Sequence, residues 1–246
     1  MKPCLLLLAG MLNDARVWQP VAQRLGSQAD VRIAYFCQQE TMPEMADHAW
    51  QTVADLPAHQ ALVLAGFSMG GYVLQQMLAA PRRTVQGVAL VDSAIRAETE
   101  SSRQNRLKTL KAIEQDFPAL VQQAARWSTH PRRHEDPTFM QALHAMLSGV
   151  GAEAAARQTR AIAGREDHAQ KLKSSQAPVL IVCGRQDKVT PPELSQEAAD
   201  ALPQAQLHWL EDTGHMTPLE RPDELAALMR AWLDRIARFG NPGETA

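Results

Sequence analysis

Short apolar runs alternating with amphipathic stretches set the rhythm of this chain. Residues 4–8, 61–67, 85–91 and 177–184 are rich in Leu, Val, Ile and Ala, residues 30–36 and 206–210 mix apolar with polar residues, and all six stretches are too short for helices. Continuous apolar runs of that length read as strands buried on both faces. Between them the apolar positions recur at helical spacing: Val17, Trp18, Val21 and Leu25; residues 44–56; and Val73, Leu74, Met77 and Leu78. A last helix follows Pro222, with Leu225, Leu228, Met229, Trp232, Leu233 and Ile236 on one face and Gly240 at its end. Asn13 and Asp14 offer caps for the first helix, and Thr190-Pro191-Pro192-Glu193 reads as another helix start, with threonine as the cap. Strand and helix in alternation predict an α/β fold, a three-layer sandwich around a mostly parallel sheet of about six strands.

The alternation stops after Asp92. Residues 96–176 hold no strand-like run and are rich in Ala, Gln, Arg and Glu. Leu107, Leu110 and Ile113 fit one helix, Leu120, Val121, Ala124 and Trp127 a second, and Phe139, Met140, Leu143, Met146 and Leu147 a third that ends near Gly149. The domain organisation expected is a core in two parts, residues 1–95 and 177–246, with a helical insertion at residues 96–176 between them. Residues 241–246 read as a loose tail. The insertion also carries His130-Pro131-Arg132-Arg133-His134, where proline spoils a shared helical face and no third ligand follows, so these histidines read as solvated loop residues.

Composition narrows the function. Lys and Arg number 25 against 27 Asp and Glu, a formal charge of -2 with no long run of one sign. Neither a nucleic-acid groove nor a polybasic membrane patch is expected, which leaves a small molecule as the partner. No stretch approaches the roughly 20 apolar residues of a membrane span. Lys2 followed by leucines imitates a secretory signal, yet no small-residue cleavage pattern follows before Asn13 and Asp14, so a first strand is the reading taken. Cys4, Cys37 and Cys183 are scattered and odd in number, as expected of reduced thiols in the cytoplasm. The sequence is silent on oligomeric state.

The chemistry-bearing stretch is Ala61-Leu62-Val63-Leu64-Ala65-Gly66-Phe67-Ser68-Met69-Gly70-Gly71-Tyr72. A pentapeptide Gly-x-Ser-x-Gly arises by chance in about one chain in ten of this length. Its position at the junction of a buried strand and a helix is what makes it informative, because a corner that tight needs glycine two residues before and two after the serine. Ser68 at the corner reads as a nucleophile. Met69 opens the helix, so its backbone amide and the positive end of the helix dipole lie where charge would build on an attacked carbonyl oxygen. A dinucleotide fingerprint and a phosphate-binding loop are both excluded, since Gly71-Tyr72-Val73 supplies neither the third glycine nor the Lys-Ser or Lys-Thr.

A serine hydroxyl needs an imidazole to take its proton and a carboxylate to orient that imidazole. Of eight histidines, only His215, in Glu211-Asp212-Thr213-Gly214-His215-Met216, joins a position just after a strand to a preceding glycine. For the acid, Asp187 follows the strand ending at Gly184 and is preferred. Asp92, which also ends a strand and leads into the insertion, stays open as the alternative.

Three stretches, Gly66-Phe67-Ser68-Met69-Gly70-Gly71, Gly184-Arg185-Gln186-Asp187-Lys188-Val189-Thr190-Pro191 and Gly214-His215-Met216 with Pro218-Leu219-Glu220-Arg221-Pro222, make the chain similar to the capped α/β-hydrolases over nearly its whole length. The resemblance implies Ser68 as nucleophile, His215 as base and then acid, Asp187 as orienting carboxylate, and the amides of Met69 and Met11 as oxyanion donors. It implies no cofactor and no metal. Met11 comes from matching Ala9-Gly10-Met11 to the family's His-Gly-x loop, and there the chain departs from the pattern: Ala9 replaces the histidine that braces the loop. The expected activity is hydrolysis of a small ester, lactone or thioester. Carbon-carbon bond hydrolysis on the same triad, and a non-catalytic ligand-binding protein on the same fold, are the alternatives.

Overall fold

The structure, a computed structural model, describes residues 1–240, and the tail expected at residues 241–246 lies outside them. Six strands form one sheet: β1 (Cys4–Leu8), β2 (Asp30–Ala34), β3 (Leu62–Phe67), β4 (Gly87–Val91), β5 (Val179–Gly184) and β6 (Ala205–Leu210). Every neighbouring pair is parallel, in the order β2-β1-β3-β4-β5-β6. The chain moves outward from β1 to β2 and then crosses to β3 on the other side. Carboxyl ends of strands beside such a reversal diverge and leave a crevice, the usual place for a ligand in an open parallel sheet.

Alternate residues of the buried strands feed two separate cores. Leu5, Leu7, Val63, Ala65 and Phe67 pack with Trp18, Val21, Met229 and Trp232, beneath α1 (Gln19–Leu25) and α10 (Pro222–Gly240). Leu6, Leu8, Leu62 and Leu64 pack on the opposite face with Met45, Trp50, Val73, Leu74 and Met77, beneath α2 (Met42–Gln51) and α3 (Met69–Ala79). The period-two side-chain alternation of a strand thus produces the three layers. Indole Nε1 of Trp18 donates to the Leu8 carbonyl at 3.0 Å, so this large buried ring also satisfies its polar atom.

Between β4 and β5 the described chain is helical: α4 (Glu100–Trp127), α5 (Pro137–Val150), α6 (Ala152–Ala163) and α7 (Ala169–Lys173). The first two helices expected from the apolar spacing meet in α4, which breaks at Asp116 (φ −158, ψ 82) just before Pro118. There Asp116 Oδ1 accepts from the Ala119 amide at 2.9 Å and caps the second half. Helices α6 and α7, and the short α9 (Thr217–Glu220), are additions to the sequence reading. The buried stripe of α6 is built from Ala154, Ala155, Gln158, Thr159, Ala161 and Ile162, small or polar residues that stand out less than the large apolar side chains of the other helices. Both ends of the helical segment between β4 and β5 meet at the buried Glu98, which pairs with Arg106 at 3.3 Å and with Arg165, whose guanidinium lies 4.1 Å from the centre of the Tyr72 ring.

One expected helix start is corrected. The helix after β5, α8, spans Pro192–Ala201 with Pro191, not Thr190, at its N-cap, and no side chain caps it. The Thr190 hydroxyl donates instead to Asp187 Oδ2 at 2.8 Å. Prolines at 191 and 192 carry no amide hydrogen and leave fewer helix amides for a cap to satisfy. No helix among the described residues is long and apolar enough to cross a membrane.

The corner between β3 and α3 has no spare room. A Cβ on Gly66 would lie 2.5 Å from the Gly70 carbonyl, and one on Gly70 would lie 2.2 Å from the Leu8 carbonyl oxygen. Both obstacles are backbone and cannot move aside. Gly70→Ala should therefore lower the unfolding free energy by about 1–3 kcal/mol, read by urea denaturation, and a variant as stable as the parent would show that α3 is not pressed onto β1 as described.

Candidate active site

Ser68 terminates β3 and precedes α3 with φ 51 and ψ −118, outside the regions that side-chain-bearing residues favour. Its neighbours fix this conformation. The Ser68 amide donates to the Val91 carbonyl at 2.9 Å, and the Ser68 carbonyl accepts from the Gly71 amide at 2.9 Å and from Ser93 Oγ at 2.8 Å. Strain of this size persists only where surrounding bonds over-determine the backbone. Ser68 Oγ is left at the mouth of the crevice, 2.9 Å from His215 Nε2.

His215 lies in the loop after β6 and is 5 % exposed. Its Nδ1 is 2.7 Å from Asp187 Oδ2, so the structure brings Ser68, His215 and Asp187 into one hydrogen-bonded line. A proton on Nδ1 satisfies the carboxylate and leaves Nε2 as an acceptor facing the serine hydroxyl. Burial pulls the imidazole's pKa down, but the charge of Asp187 and its hydrogen bond more than offset this, and the net shift is upward from 6.5. The ring packs against Phe67, with centroids 5.2 Å apart.

Asp187 is held from three further directions. Its Oδ1 accepts from the amides of Val189 (2.7 Å) and Thr190 (3.0 Å), and its Oδ2 from the Thr190 hydroxyl. The loop of His215 is equally tied down. Its amide donates to the Ser128 carbonyl at 2.8 Å, while the buried Glu220 accepts from the amides of Gly214 (3.0 Å) and His130 (2.9 Å). Thr190, Glu220 and Ser128 are therefore site residues that the sequence reading did not single out. Thr190 and Glu220 both lie inside quoted motifs, though neither was read as supporting the site, whereas Ser128, which acts through its backbone carbonyl, carried no signal. His130 takes no metal-binding posture: its Nδ1 accepts from the Arg132 amide, and His134 Nε2 meets the Arg126 carbonyl.

Asp92, the alternative acid, ends β4 one strand away and faces neither Ser68 nor His215 through a hydrogen bond. It is fully buried with φ 45; Oδ1 accepts from the Gly184 amide at 2.9 Å, and Oδ2, near the Thr217 hydroxyl, makes no well-formed hydrogen bond among the described residues. Burial, with the charge of Asp187 nearby, pushes its pKa well above the usual carboxylate range. Asp92, Asp187 and Cys183 each bring a donor atom within 4.8 Å of the others. They do not suit a metal ion: burial drives the Cys183 thiol away from the thiolate form, and hydrogen-bond donors already occupy both oxygens of Asp187.

A cavity of about 380 Å³ opens above Ser68 and His215. The core supplies Met11, Leu12, Phe67 and Met216, and the inserted helices supply Leu120, Ala124, Trp127 and Leu147. Apart from His215, no side chain lining it among the described residues is ionisable. Trp127 and Val189 at its edge are 55 % and 44 % exposed, and Lys188 Nζ lies 5.4 Å from the Trp127 ring centre. Met11 shares this cavity with Ser68, and Met69, as the first residue of α3, carries an amide with no partner inside the helix.

The unusual state of Asp92 has a measurable consequence. A carboxyl group whose pKa is raised in the fold favours folding fully below its unfolded-state pKa, and that favour is lost as pH rises towards the folded value. Asp92→Asn cannot ionise in either state. The difference in unfolding free energy should therefore move in the variant's favour between pH 5 and pH 8, followed by denaturant titration, whereas a difference independent of pH would mean that Asp92 titrates normally in the fold.

A family model described as the alpha/beta hydrolase family matches residues 5–228 of the chain. Over 98% of the chain and 94% of the relative, the sequence is 29% identical to a protein of Variovorax paradoxus (strain S110) named "Putative carbamate hydrolase RutD". Among solved structures, a thermophilic esterase from Thermogutta terrifontis superimposes with a TM-score of 0.86 at 23% identity, covering 96% of this chain and 91% of that one. An enol-lactonase from Burkholderia xenovorans LB400 gives a TM-score of 0.79 at 18% identity, with 95% and 92% covered. At those identities the two structures speak for the fold alone. With the family model spanning the sheet, the helices between β4 and β5 and the first turns of α10, the chain belongs to the alpha/beta hydrolase family.

Proposed function

We propose that this hydrolase is a serine esterase that cleaves a small, uncharged ester, lactone or thioester with an apolar acyl portion. The observation that carries the reading is the unbroken line from Ser68 Oγ through His215 to Asp187, at 2.9 Å and 2.7 Å. Ser68 Oγ attacks the carbonyl carbon while His215 Nε2 takes its proton, and the amides of Met69 and Met11 receive the charge that develops on oxygen. Collapse of that intermediate breaks the bond to the leaving oxygen or sulfur, which takes the proton back from His215. Water, deprotonated by the same nitrogen, then attacks the acyl-enzyme and releases the acid and Ser68. Asp187 fixes the imidazole tautomer and offsets the charge it gains.

Apolar walls and the lack, among the described residues, of an ionisable lining residue besides His215 support the choice of a neutral acyl group. In this account residues 96–176 form a cap over a core made of residues 1–95 and 177–246, and the cap's Leu120, Trp127 and Leu147 set the size of the acyl group. The reaction needs no cofactor and no partner beyond the substrate. The three free cysteines suit a cytoplasmic setting.

Two outcomes follow. Ser68→Ala should reduce turnover of nitrophenyl esters by about a million-fold, and undiminished hydrolysis by that variant would end the proposal. Because His215 must be neutral to act as base, kcat/KM should rise with pH through a midpoint above 6.5. Asp187→Asn removes the charge that raises this midpoint, so a pH-rate profile should show it lowered, with the plateau rate down by about 10⁴-fold.

A further inference from the structure

Met11 lines the cavity on a loop braced from within by the buried Asn13, whose Nδ2 donates to the Met11 carbonyl at 3.1 Å. The turn at Gly10-Met11-Leu12-Asn13 closes with a long 3.3 Å bond from the Asn13 amide to the Gly10 carbonyl, and Leu12 sits at φ 61, a conformation unfavourable for a leucine. Ala9, preceding the turn, has no side chain that can reach back to it.

Support from outside the loop comes from α6, on the helical segment between β4 and β5. Gln158 is completely buried, its Oε1 accepting from the Leu12 amide at 2.9 Å and its Nε2 donating to the Phe36 carbonyl at 2.5 Å. These partners settle the amide's orientation, since an N–H must meet oxygen and a carbonyl must meet nitrogen. The flanking residues grip the same two loops: Arg157 donates to the Cys37 carbonyl at 2.9 Å and 3.1 Å, and the Thr159 hydroxyl lies 4.0 Å from Met11 Sδ. Three successive residues of one helix thus touch the loop after β1 and the loop after β2. A primary amide suits position 158, where one buried donor and one buried acceptor must be met together by an uncharged side chain.

Resting on the esterase reading above, we propose that Gln158 is the positioning residue for the oxyanion site. By pinning the Leu12 amide it holds the strained turn that aims the Met11 amide, so that one of the two oxyanion donors is in place only while α6 is seated on the core. A side chain from the inserted helices thereby takes part in transition-state stabilisation without touching the substrate.

Gln158→Met keeps the volume and removes both hydrogen bonds. In the full-length protein it should lower kcat for a nitrophenyl ester by on the order of tenfold to a hundredfold, below the 10²–10³ of a donor lost outright, with KM within about threefold. Affinity for an alkyl trifluoromethyl ketone, whose hemiketal on Ser68 needs the same donors, should fall by the factor seen in kcat, while affinity for the carboxylic acid product stays level. An unchanged kcat, or a fall in kcat with ketone affinity intact, would overturn the proposal. Hydrogen exchange, measured by mass spectrometry on peptides covering residues 9–14, gives a reading independent of turnover. Protection of the Leu12 amide in the unsubstituted protein and its loss in Gln158→Met are expected, and rapid exchange at Leu12 in the unsubstituted protein would refute the bracing even if the variant did not fold. Absence of ester hydrolysis by the unsubstituted protein would instead defeat the esterase reading, and the exchange data would still decide whether Gln158 holds the loop.

Discussion

Everything at the site depends on how closely α3 approaches β1 and β3. Gly66 and Gly70 leave so little space that no other side chain fits between Leu8, Gly70 and Gly71, and the chain turns from strand to helix within one residue. That residue is Ser68, and the turn forces it to φ 51. Bonds to Val91, Gly71 and Ser93 keep the strain from relaxing. The sheet thus sets Ser68 where a hydroxyl faces the crevice and where the first amides of α3 carry the positive end of the helix dipole. Without the close approach, a serine at this position would be an ordinary strand end.

From that fixed point the polar groups extend outward in a connected set. His215 faces Ser68, Asp187 faces His215, and Thr190 and Val189 face Asp187. Glu220 draws together the amides of Gly214 and His130, so the imidazole loop is tied both to α9 and to the segment that follows α4. In a buried setting each such bond is stronger than at the surface and each loss is more damaging, which is how a few side chains keep an imidazole aligned. Asp92 shows the opposite case: it is buried beside another carboxylate with one oxygen firmly bonded, and burial, then the charge of Asp187, push its pKa well above the usual carboxylate range.

Much of this arrangement is visible in the sequence because it is local. The four central strands are continuous apolar runs, the edge strands β2 and β6 are mixed and only half-buried, and all six stand where the pattern places them, with ends shifted by a few residues. Ser68, His215 and Asp187 each follow a strand, and a parallel sheet gathers such loops at one edge, so their meeting follows from order along the chain. Thr190 was misread because threonine before two prolines is also a helix start, and only the three-dimensional position of Asp187 decides where its hydroxyl turns. Gln158 left no trace at all: a glutamine in an Ala-rich helix is indistinguishable from a solvated one until the loops 146 and 122 residues away fold against it. Contacts of that separation are set by tertiary packing, which periodicity does not encode.

Activation of Ser68 is the central claim, and covalent capture tests it most directly. Purified protein treated with a fluorophosphonate and digested should yield one modified peptide, carrying the adduct on Ser68, with labelling abolished by prior denaturation. Labelling absent from folded protein, or spread over other serines while Ser68 stays free, would contradict the account.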